Sequence, residues 1–154
     1  MAVEKPAILA PNRFLDFGAG FYTTVNKKQA AEFAQKVAHR RKTGTPTVNI
    51  YELDEESAFE VCSVLRFKQN PDYAWLDFVT ANRNGEYSGE PFDIIIGSVA
   101  NDDVYRTLAL YMADILTRDQ AIEALKVRKL FMQIVFTIEK ALSYLSFAGK
   151  EERL

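Results

Sequence analysis

"LDFGAGFYTT", residues 15–24, decides how this chain is read, because it carries fragments of two nucleotide-binding signatures. Asp16-Phe17-Gly18 matches the metal-binding tripeptide of protein kinases, and Gly18-Ala19-Gly20 matches the opening of a dinucleotide loop. A kinase needs a lysine strand and an H-R-D loop upstream of its D-F-G, yet only 15 residues precede Asp16. A dinucleotide loop needs a strand before its glycines, a third glycine and a helix directly after. Here the glycines lead into an apolar and β-branched stretch, and Thr23 stands at the third glycine position. Taken alone, the stretch reads as a tight turn feeding a strand, with glycine supplying positive φ.

Outward from that turn, the residues alternate between strand and helix signals. Gly20–Thr24 is expected to be a strand. Asn26 then caps a helix over Lys27–Arg41, whose Ala30, Phe33, Ala34, Val37 and Ala38 share one face. Residues 45–53 read as a strand, 54–61 as a solvated helical turn and 63–67 as a short strand. Asn70-Pro71 places a cap before a proline at the first helical position, opening a helix through Trp75, Phe78 and Val79, three expected core residues. Asn82 and Arg83 either cap that helix or enter the site, and the cap is the favoured reading. "FDIIIGSV", 92–99, is apolar on both alternations, as in a central strand covered on both faces. Asn101 caps the next helix with Asp102 and Asp103 in its first turn, and Thr117 with Gln120 has capping-box spacing. "QIVFT", 133–137, is expected to be the last strand and 138–147 the last helix. Strands and helices mixed without regular alternation point to an α+β class.

The bulk numbers narrow the function classes. A length of 154 residues suits a single domain spanning 1–154. A net charge of -2, from 19 Lys and Arg against 21 Asp and Glu, gives no global field for nucleic acid. The single cysteine, Cys62, excludes an internal disulfide and suits a reducing cytoplasm; its apolar setting in "FEVCSVLRF" makes it a core residue. No apolar run is long enough to span a membrane, and no metal-ligand set is identified.

The longer pattern "GAGFYTTVNKKQAAEFA", residues 18–34, resembles the second motif of the ADP-ribosyltransferase superfamily. There a glycine-led strand carries a tyrosine, and the following helix carries an aromatic eleven positions beyond it. Together with "VNIYELD", "WLDFVTANRNG", "FDIIIGSVANDD" and "QIVFTIEKALSYLSF", nearly the whole chain is similar to a bacterial family of unknown function placed in that superfamily. The resemblance implies a split, twisted β-sheet with flanking helices and an NAD-dependent mono-ADP-ribosyltransferase acting on an unknown macromolecule. It equally admits a degenerate NAD-binding or protein-interaction module. NAD enters as substrate, and no metal is implied.

By position, the resemblance makes Tyr22 and Phe33 the two walls of a nicotinamide slot, with Gly18 and Gly20 admitting the ligand close to the backbone. For Phe33, a place on the apolar stripe of its helix is an equal alternative. Superfamily members usually begin a late strand with a glutamate; the matching residue here is Gln133, preceded by Met132. Glu139 reads as a first-turn charge, His39 as a solvated residue, and Arg13 as a loop cation near the glycine turn that also suits a phosphate. The superfamily's first motif, similar to "LYHGS" in related proteins, would lie upstream of the stretch given. The reading frame is therefore expected to extend before Met1 by about 5–6 residues and a turn. A chain lacking that strand is expected to be weakly active and to self-associate through an exposed sheet edge.

Overall fold

The computed structural model describes residues 1–9, 14–128 and 130–152. Its elements run β1 (Phe21–Thr24), α1 (Lys27–Arg41), β2 (Val48–Leu53), α2 (Glu55–Val61), β3 (Val64–Arg66), α3 (Tyr73–Arg83), β4 (Ile94–Val99), α4 (Asp102–Met112), α5 (Arg118–Lys126), β5 (Phe131–Phe136), α6 (Glu139–Leu142) and β6 (Leu145–Glu151). The class is α+β. Strands and helices in fact alternate along most of the chain, contrary to the sequence reading. The class follows instead from the pairing: β1–β5, β4–β5 and β2–β6 are antiparallel, and β3–β4 is parallel.

Four strands form one sheet in the order β1-β5-β4-β3, and β2 pairs with β6 in a second. The apolar run on β4 explains its inner place. Ile95 enters one hydrophobic cluster, with Phe17, Trp75, Leu76, Val79, Val104, Leu108 and Leu125, while Ile94 and Ile96 belong to another, with Cys62, Phe136, Ala141 and Leu142. The first cluster lies under α3, α4 and α5. The second fills the space towards the smaller sheet, where the Tyr51 ring meets Phe21 at 5.7 Å and Phe147 at 5.8 Å, both edge-on. Trp75, Val79 and Cys62 are buried as expected, with Phe78 packed against the cluster that holds Trp75 and Val79.

Helix starts follow local chemistry. The Asn26, Asn101 and Thr117 side chains accept from Gln29, Val104 and Gln120 amides, and Thr117 with Gln120 closes a full capping box. Four expectations need correction. Residues 54–61 are not a solvated turn: Asp54 caps a helix whose Ala58 is fully buried. The cap of α3 is Asp72, which accepts from Trp75 N at 2.9 Å, rather than Asn70. β5 begins at Phe131, so Gln133 is its third residue and not its first. The last helix is only Glu139–Leu142; from Leu145 the burial alternates with the period of a strand, and β6 pairs with β2.

Candidate functional site

The stretch 15–24 folds as a turn followed by a strand. Gly18 N donates to Leu15 O at 3.1 Å, and Gly18 sits at φ 77, where a side chain would be strained. Tyr22 then folds its hydroxyl back onto this turn. It donates to Gly18 O at 2.7 Å and accepts from Phe17 N at 3.1 Å. Its ring packs against the first hydrophobic cluster, while neighbouring Phe21 packs against the second, and all four β1 residues stay half-buried. Burial pushes the Tyr22 hydroxyl well above the usual tyrosine range; the Phe17 amide lowers it, nearby Asp16 raises it and Arg83 lowers it.

Register brings Tyr22 and Gln133 onto one face of the sheet. Tyr22 pairs with Val135 and Thr24 with Gln133, so Tyr22 and Gln133 are diagonal neighbours on adjacent strands. On its other side Gln133 pairs with Gly97. The Gln133 carboxamide is half-buried, and no described residue takes a hydrogen bond from it or gives one to it. Met132 points the other way, accepting from Ser98 Oγ through its sulfur at 3.4 Å.

The other expected site residues are placed differently. Phe33 is 63% exposed on α1, a helix with no fully buried residue, and among the described residues its ring pairs with no other ring. That removes the core alternative for Phe33 and leaves an aromatic face open to solvent. At Gly18, a Cβ would meet Asn82 Oδ1 at 3.0 Å; at Gly20, it would meet Val135 Cγ1 at 2.7 Å and Phe136 O at 2.9 Å. The close approach that these two glycines permit is therefore met by the protein's own atoms. Arg13 lies outside the described residues. His39 is exposed, and Glu139 accepts from Ile8 N at 3.0 Å.

The residue that sequence reasoning passed over is Asp16. Only 2% exposed, its carboxylate takes the Arg83 Nε hydrogen bond on one oxygen and Ala100 N at 2.7 Å on the other. The Arg83 guanidinium also lies over the Tyr105 ring, 4.5 Å from its centroid. Arg83 is thus part of an ion pair joining the glycine turn, the end of α3 and the start of α4, rather than a helix cap. An aspartate two residues before a glycine turn was the only signal in the sequence; its partner lies 67 positions away.

Two surface clefts do not include these residues. One, of about 190 Å³, is lined by Gln69, Asn70, Pro71, Lys126 and Arg128 among others; the second, of about 250 Å³, lies between Glu4–Pro6 and α6. Tyr22, Phe33 and Gln133 line neither. Among the described residues no group of His, Cys, Asp and Glu is arranged to hold a metal, and no helix is long and apolar enough to cross a membrane.

Compared with known proteins, residues 1–147 match the model of a family described as a protein of unknown function (DUF3990). No curated protein and no solved structure matches.

Proposed function

The chain belongs to the DUF3990 family, and from that premise we propose that it is an NAD-dependent mono-ADP-ribosyltransferase acting on a macromolecule. One observation carries this reading: Tyr22 and Gln133, far apart in sequence, share a sheet face on adjacent strands, and the half-buried Gln133 amide takes no partner among the described residues. Breaking the nicotinamide–ribose bond of NAD needs two things. The cationic nicotinamide must be held, and the oxocarbenium character of the ribose must be met as the bond opens.

Aromatic faces hold such a ring by stacking and cation–π attraction, about 0.5–2 kcal/mol per contact. Tyr22 offers a ring fixed at its hydroxyl end, and Phe33 offers one exposed to solvent. The Gln133 carboxamide oxygen accepts a hydrogen bond from a ribose hydroxyl and aims a dipole at the developing charge. An amide is neutral and takes no proton, so this position orients the sugar without activating the acceptor.

That neutrality favours a second reading, a non-catalytic NAD-binding or protein-interaction module with the same architecture. Titration with NAD alongside a nicotinamide-release assay separates the two. Binding with release supports the transferase. Binding without release supports the module, and no binding at millimolar NAD removes the nucleotide from both.

A further inference from the structure

The Asp16–Arg83–Tyr105 arrangement is unlike an ordinary surface ion pair. Asp16 is almost fully buried and has both oxygens engaged, one by Arg83 and one by a backbone amide. The Arg83 side chain keeps 19% of its surface exposed. Nε is committed to Asp16 and the guanidinium plane is stacked on Tyr105. Neither Nη group donates to a described residue. A guanidinium held at one edge and on one face, with outer donors that no described residue takes, is pre-organised to bind an oxyanion through parallel hydrogen bonds.

Its location gives that capacity a purpose. The preceding residue, Asn82, has its side-chain oxygen 3.0 Å from where a Cβ on Gly18 would lie, and Asp16 adjoins Phe17, whose amide holds the Tyr22 hydroxyl. Arg83 therefore stands beside the same turn that carries Tyr22. We propose that Arg83, oriented by Asp16 and Tyr105, binds the diphosphate of a dinucleotide entering this site. The dinucleotide as occupant rests on the function proposed above; the anion site itself does not. Because Asp16 balances the charge of Arg83, recognition comes from directed donors more than from a net field. Affinity should therefore fall only modestly with added salt.

The test is calorimetric titration of the chain with ADP-ribose, inorganic pyrophosphate and nicotinamide as separate probes. Arg83→Lys keeps a cation for Asp16 but loses the planar fork, and should weaken ADP-ribose and pyrophosphate binding about tenfold while leaving nicotinamide binding unchanged. Should Arg83→Lys fail to fold, the Asp16→Asn, Arg83→Gln double variant keeps a neutral hydrogen-bonded pair and should show the same selective loss. Equal affinity of the folded variant and the wild type for ADP-ribose overturns the proposal, as does a wild type that binds neither diphosphate probe at millimolar concentration. Diphosphate binding that depends on Arg83, with no nicotinamide binding or release, leaves the anion site standing and removes the transferase.

Discussion

Gly97 lies directly across the β4–β5 ladder from Gln133, and aromatic rings fill the space its missing side chain leaves. A Cβ at Gly97 would come within 2.9 Å of Phe67 Cδ2 and 3.0 Å of Phe17 Cζ. Those rings stack on each other 5.9 Å apart and are backed by Phe78, so they have little room to retreat. Gly97→Ala should cost about 1–3 kcal/mol, the usual penalty of overpacking. Urea denaturation measures it, and an unchanged midpoint would show that the rings yield freely.

Tyr22→Phe keeps the ring and deletes the hydroxyl that joins Phe17 N to Gly18 O. Leaving that amide unpaired in a half-buried turn should cost about 1–2 kcal/mol of stability. Ligand stacking on the ring should persist. The expected result is a lower denaturation midpoint with NAD affinity within about threefold of wild type, since ring stacking is retained.

Alkaline pH should destabilise the fold. Burial raises the Tyr22, Tyr51 and Cys62 side chains, so each keeps its proton in the folded chain to higher pH than in the unfolded one. Their stabilising contribution is complete below the unfolded values, about 8.5 for the thiol and about 10 for tyrosine. It is lost as pH rises beyond them, because the unfolded chain then binds fewer protons. Denaturation midpoints should fall from about pH 9 upward, with a shallower fall above pH 10 in Tyr22→Phe.

Phe33→Ala and Gln133→Ala separate binding from chemistry. Phe33 is exposed, so its loss should leave stability within about 0.5 kcal/mol and weaken NAD binding by about 1 kcal/mol. Gln133→Ala should mainly lower the rate of nicotinamide release, because its hydrogen bond strengthens as ribose charge develops. Unchanged release would take Gln133 out of the chemistry.

What was legible in the sequence was local. The caps at Asn26, Asn101 and Thr117 were readable because each side chain closes a bond within three residues. Where two capping residues compete, as at Asn70 and Asp72, the letters do not say which amide is in reach. β6 was hidden because "IEKAL" has helix-forming residues and the switch to strand depends on pairing with β2, about a hundred positions earlier in the chain. At the candidate site, Tyr22 and Gln133 were marked by the resemblance, while the start of β5 was placed two residues late because "FM" carries no strand signal of its own. Asp16–Arg83 was not marked, since two charges 67 positions apart announce nothing until the backbone brings them together.

β4 belongs to both hydrophobic clusters at once, Ile95 facing one and Ile94 with Ile96 facing the other. The helical layer and the small-sheet layer therefore share a single wall. Neither can melt while the other stays intact, because loosening either strips one side of the same six-residue strand. Unfolding should be one cooperative event rather than a peeling of layers, with β4 amides among the last to exchange their hydrogens with solvent.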